Sequence, residues 1–270
     1  MNPVRAIYLS CACLILLGLI LSWATYQPYS ALIIFPLLVA AGTYTLSPQI
    51  MWWHWKRNPP DLDVSLASLL ERFDLYRRLD LAGKREFRRR TFLLREATSI
   101  EGKAIEEFPP DVKVMVAASA ATVGFHREEF LLGDFEKVIF YRHFFPSPEH
   151  EVLHSSELYP ADGAIIWTLN VFLRSCIEPQ KYLHLGLYEY GRALLHLEPS
   201  LRSGLEETML DYARVEKITG FSEEKLKEFI GLEELDLAAI TLVLYHTHQE
   251  RLEALELTVK EKVEELLLRS

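Results

Sequence analysis

Cysteine is scarce in this chain of 270 residues, with three in all. Cys11 and Cys13 lie in an apolar N-terminus and Cys176 stands alone, which makes no disulfide framework and fits a reducing compartment or simple indifference to redox. There is no Gly-rich phosphate loop, no G-x-S-x-G elbow and no paired Cys motif, so the commonest signatures of nucleotide binding, serine hydrolysis and structural zinc are missing. Internal repeats and low-complexity segments are absent too. Acidic residues are missing from positions 1–57, where Arg5, Lys56 and Arg57 give a charge of +3. With −9 for the whole chain, the remainder carries −12. A domain this acidic argues against nucleic acid as its main partner, because phosphate binding needs a basic face.

Two long uncharged runs fill the N-terminus. Ala6–Tyr26 holds 21 residues without a charge, and roughly 20 apolar residues cross a hydrocarbon core of about 30 Å. A second uncharged run extends from Ala31 towards Trp53, and its Pro36 is tolerable in a membrane helix. Trp52, Trp53 and Trp55 followed by Lys56 and Arg57 resemble an aromatic belt with a positive flank. We therefore expect a transmembrane hairpin over 1–57, with spans at about 6–26 and 31–53. A cleaved signal peptide fits less well, since a second run follows at once. The basic residues lie on the outer sides of both runs, so the positive-inside rule predicts a multi-pass protein with its bulk domain facing the cytoplasm.

Asn58-Pro59-Pro60-Asp61 opens a short linker, 58–65, and a domain over 66–270 follows. Leu69, Leu70, Phe73 and Tyr76 predict a first helix and Leu81–Leu94 a second, whose basic cluster Lys84, Arg85, Arg88, Arg89 and Arg90 we read as a solvated face. Pro109-Pro110-Asp111 opens a helix of small apolar residues, VKVMVAASAATVGF. Phe135–Tyr141 and Gly163–Leu169 have strand character, and the proline-bearing stretch 146–162 between them reads as a loop. Further helices are expected over 202–218, 223–229, 235–247 and 250–268. Helices dominate and strands are few, so the class is α+β, mainly helical.

The most informative segment is Tyr182–Leu197, bracketed by Pro179 and Pro199. Leu183, Leu187, Tyr190 and Leu194 make one apolar stripe at helical spacing. On another face stand Tyr188, Glu189 and Arg192. In an H-E-x-x-H zinc peptidase these positions hold His, Glu and His: two imidazoles four apart aim at one metal, and the Glu polarises its water. Here the pattern is Y-E-Y-G-R. A phenol near pH 7 is a poor zinc donor, and a guanidinium offers no lone pair and repels a dication. Glu189 and Arg192, three apart, can instead pair with each other. Elsewhere His184 precedes Tyr188 by four, His246 and His248 diverge on a helix, His196 ends the central segment, and His143, His150 and His154 straddle the loop. None of them has zinc-ligand spacing.

Four stretches resemble the Mlc titration factor A family of zincin-type, zinc-dependent peptidases. They are LLERFDLYRRLDLAGKREFRRRTFLLREATSIEG, PPDVKVMVAASAATVGF, FEKVIFYRHFFPSP and GAIIWTLNVFLRSCIEPQKYLHLGLYEYGRALLH, together most of 66–196. The resemblance implies a zincin-like fold. It also implies that family H-E-F-A-H falls on Tyr188–Arg192 and that the third metal ligand, a Glu, falls on Ala238. Only the general-base position, Glu189, then keeps the family residue. The expectation is a membrane-anchored pseudopeptidase that binds no metal cofactor and retains a peptide- or protein-binding domain. The family suggests a regulatory protein, such as a transcriptional repressor, as partner. Two alternatives stand beside it: an active zinc peptidase with ligands elsewhere, and a membrane structural or assembly protein.

Overall fold

The computed structural model describes residues 2–269 apart from Glu106. The chain divides into two units, Met1–Pro60 and Asp61–Ser270.

In the first unit α1 spans Pro3–Thr25, 23 residues, and is long and apolar enough to cross a bilayer. Asn2 caps it, its Oδ1 accepting from Val4 N at 3.0 Å. Most of its leucines and isoleucines are exposed. Helix α2, Ser30–Thr45, runs through Pro36, and α3 covers Ser47–Arg57. Gly18 lets α1 and α2 approach closely; a Cβ there would meet Leu32 Cβ at 3.0 Å. The second apolar run is not straight: α2 and α3 meet at an angle of 71°. Pro48 in the first turn of α3 has no N–H to continue the α2 hydrogen-bond ladder, so the helix restarts there. Lys56 lies 5.3 Å from the Trp52 ring centroid and the Arg57 guanidinium 3.8 Å from that of Trp53, binding the cations to the aromatic cluster.

The second unit is mainly helical around one small sheet. In chain order it contains α4 (Val64–Ala67), α5 (Asp74–Arg78), α6 (Leu81–Ala97), β1 (Ser99–Lys103), α7 (Pro110–Val123), β2 (Lys137–Tyr141), β3 (Ser156–Tyr159), β4 (Ala164–Thr168), α8 (Leu169–Ile177) and α9 (Leu185–Leu197). Then follow α10 (Pro199–Glu206), α11 (Tyr212–Thr219), α12 (Glu223–Ile230), α13 (Leu237–Thr247), α14 (Gln249–Leu255) and α15 (Leu257–Arg269). The sheet order is β1-β2-β4-β3; β1, β2 and β4 are parallel, and β3 runs antiparallel on the edge beside β4.

Helices α7, α9 and α13 pack in succession and form the core. α7 is buried along nearly its whole length, as its small-residue composition predicts. Gly186 explains its closeness to α9: a Cβ there would fall 2.4 Å from Ser119 Oγ. Several expected helices are broken. The first one splits into α4, a 3-10 turn at Ser68–Arg72 and α5; 202–218 splits into α10 and α11; and 250–268 splits at Glu256. The stretch 146–162, expected as a loop, contains β3.

Candidate functional site

Helix α9 begins at His184, whose Nδ1 accepts from Leu187 N at 3.2 Å. The stripe Leu183, Leu187, Tyr190 and Leu194 is buried, with Tyr190 edge-on to Trp167 of β4 at 5.8 Å. This seating turns Glu189 towards β3, where it is wholly buried. Its Oε2 accepts from Arg192 Nη1 at 2.9 Å and its Oε1 from Ser156 Oγ at 2.5 Å. Both carboxylate oxygens are engaged. The Arg192 side chain is 25% exposed, so the ion pair is sealed on the Glu189 side and reaches solvent on the other.

Tyr188 is buried, and its phenol oxygen accepts from Asp236 N at 3.0 Å. Its ring centroid lies 5.7 Å from the Arg192 guanidinium. Asp236 does three things at once. Its N–H holds Tyr188, its Oδ1 caps α13 by accepting from Ala239 N at 3.1 Å, and its Oδ2 accepts from Arg202 Nη2 at 2.6 Å. Ala238 is buried in the first turn of α13, two residues beyond that cap. Gly191 allows the approach of α13: its Cβ position lies 3.7 Å from Leu242 and 3.9 Å from Ala239.

Burial pushes the Glu189 carboxyl above the usual carboxylate range, while Arg192 and Ser156 hold the rise in check. Burial alone would make Arg192 more acidic, but Glu189, Tyr188 and Asp236 outweigh it, and the guanidinium holds its proton more tightly than usual. The Tyr188 phenol is pushed up by burial and stays protonated. These side chains do not fit a zinc ion. The phenol is neutral and tied to a backbone N–H, the guanidinium is a cation and Ala238 has no donor atom. Glu189 is equally closed, since a carboxylate without exposure cannot take a proton from water.

Beside this site Glu157 of the edge strand and His154 just before it form a second buried pair. His154 Nδ1 lies 2.8 Å from Val152 O, and a carbonyl only accepts, so the proton is on Nδ1. Its Nε2 faces Glu157 Oε2 at 3.1 Å, and Ser147 Oγ donates to Glu157 Oε1 at 2.8 Å. Against the desolvation of both groups, these hydrogen bonds raise the His154 pKa and lower that of Glu157, the directions of an ion pair. The remaining histidines are dispersed: His246 is buried in α13, His248 follows it, and His196 stands edge-on to Phe135 at 5.7 Å. Away from Glu189, a groove of about 380 Å³ is lined by Phe144, Val171, Tyr182, Leu183, Phe221 and Phe229, with Arg174, Lys181 and Lys225 around it.

The structure thus brings Tyr188, Glu189 and Arg192 together with the start of α13. Sequence reasoning missed Ser156, Asp236 and the His154–Glu157 pair. Asp236 carried a local signal, an N-cap residue before LAAITLV. Ser156 carried none, because its bond to Glu189 joins residues far apart in the chain. In comparisons with known proteins, no family model, no curated protein and no solved structure matches this chain.

Proposed function

We propose that the chain is a membrane-anchored, non-catalytic relative of zincin-type peptidases, whose cytoplasm-facing domain binds a peptide or protein. The observation that carries this reading is the closed state of Glu189, held by Ser156 and Arg192 with no surface left for water. Hydrolysis of this type needs a Lewis acid and a base that can reach a water molecule; the residues around Glu189 provide neither. The groove lined by Tyr182 and Phe229 supplies an aromatic surface with three basic residues and one acid, Glu228, around it, suited to an extended segment that carries apolar side chains. In this reading α1 is the first span, and α2 with α3 returns the chain across the bilayer. Arg5, Lys56 and Arg57 keep both ends on the cytoplasmic side.

The test is peptide cleavage by the full chain in detergent, compared with Glu189→Gln, with and without added zinc. The expected outcome is no cleavage that depends on Glu189. Zinc-dependent hydrolysis abolished by Glu189→Gln would overturn the reading. Deleting residues 1–57 then separates a binding domain, which keeps its partner, from a membrane assembly protein, which loses it.

A further inference from the structure

The connection from β2 to β3 is tightly braced. Phe145 and His154 exchange backbone hydrogen bonds, N to O, of 3.0 and 3.0 Å. Inside that bridge, Ser147-Pro148-Glu149-His150 forms a turn. Ser147 N donates to His150 O at 2.8 Å, and His150 N donates to Ser147 Oγ at 3.0 Å. The same Ser147 hydroxyl donates to the buried Glu157 at 2.8 Å, so the turn is fixed against β3. As a result one ligand atom each from Glu149, His150 and Glu157 lies within 4.8 Å of the others.

Two features distinguish this cluster from a chance group of surface acids. Glu149 is exposed and His150 half-buried, and neither the Glu149 carboxylate nor the His150 ring makes a hydrogen bond among the described residues. Both are therefore free donors, set side by side by a braced turn. The third donor is a carboxylate that is 1% exposed and oriented by His154 and Ser147, the kind of outer support that fixes metal ligands. We infer that Glu149, His150 and Glu157 form a binding site for one divalent transition-metal ion, with zinc as the ion to test. One imidazole and two carboxylates suit a borderline cation, and zinc stands above manganese and iron in intrinsic affinity for such ligands. Ligand atoms around a tetrahedral zinc lie about 3.4 Å apart, given bonds of about 2.0–2.2 Å. The free side chains of Glu149 and His150 need to close only a short gap, and waters complete the coordination. The ion would staple the proline-bearing connection to the edge strand. It lies outside the set Tyr188, Arg192 and Ala238, so the inference does not rest on the function proposed above.

The experiment uses the full chain in detergent, stripped with a chelator and titrated with zinc by calorimetry, and with cobalt by its visible absorption. One ion per chain at micromolar affinity is expected. His150→Ala and Glu149→Gln should each weaken binding at least tenfold, while His143→Ala, an exposed neighbour on the same connection, should leave it unchanged. Absence of stoichiometric binding overturns the inference, as does binding that both variants preserve. Zinc that survives His150→Ala but is lost in Glu189→Gln would place a metal at α9 and overturn the proposed function as well. Loss in His150→Ala alone leaves that function standing.

Discussion

Replacing Arg192 with methionine separates a sealed ion pair from an ordinary surface one. The substitution leaves the Glu189 carboxylate without exposure and without a counter-cation, retaining only Ser156. Breaking a buried pair by removing one partner costs about 3–5 kcal/mol, and the 25% exposure of Arg192 argues for the lower part of that range. We expect a loss of about 3–4 kcal/mol near pH 7, read as a fall in melting temperature of roughly 6–16 °C for a domain of this size. Glu189→Gln should cost less, because the orphaned guanidinium can reach water. The double variant should lie within about 1 kcal/mol of the parent, since two apolar or neutral groups replace two charges. The pH dependence has a definite sign. Without Arg192 the folded pKa of Glu189 rises further above its unfolded value, so folding takes up a proton. The deficit is then largest above the folded pKa and shrinks as the pH falls towards the ordinary carboxylate range. Thermal unfolding of the full chain in detergent, followed by circular dichroism between pH 5 and 8, measures both effects. A loss below about 1 kcal/mol, as for exposed pairs, would refute this account, and so would a deficit that ignores pH.

Two further outcomes follow from buried groups. Burial lowers the pKa of His184 to about 4 from an ordinary 6.5, so the folded chain resists a proton that the unfolded chain accepts. Stability should be intact above pH 6.5 and fall by about 3 kcal/mol as the pH drops to 4, and His184→Asn, which can still cap α9, should flatten that acid slope in urea titrations. Gly163 has φ +58°, and a Cβ there would lie 1.9 Å from Asp134 O. Gly163→Ala should destabilise the domain by more than the ~1 kcal/mol of a left-handed residue alone, read as a lowered urea midpoint, and an unchanged midpoint would show that the turn before β4 can relax.

The parts of the structure that were readable from sequence are those governed by short-range periodicity. α7 announced itself through Pro110 and a run of small apolar residues, and α9 through its flanking prolines and the stripe from Leu183 to Leu194. β2 and β4 carried β-branched and aromatic residues at the right spacing. What escaped was set by distant partners. β3 reads Ser-Glu-Leu-Tyr, and its polar residues give no alternation because its first three positions are all buried. β1 reads Ser-Ile-Glu-Gly-Lys, a polar edge that owes its form to pairing with β2. The Tyr188–Glu189–Arg192 set was visible as a pattern, but its closure depends on Ser156 and Asp236, which helical spacing cannot supply. The same holds for Glu149, His150 and Glu157, which look unrelated until the turn at Ser147 folds back on β3.

Asp236 has one more consequence. Because one residue starts α13, holds the Tyr188 phenol and anchors Arg202, the site behaves as an interlocking set. Converting it to a metal centre one residue at a time meets a barrier at each step. Histidine at 192 strips Glu189 of its cation before any metal arrives, and histidine at 188 removes the acceptor for the Asp236 N–H. Each single change therefore costs stability before a metal could bind. The present arrangement is thus closed to gradual conversion, because a metal centre at this place needs several substitutions at once.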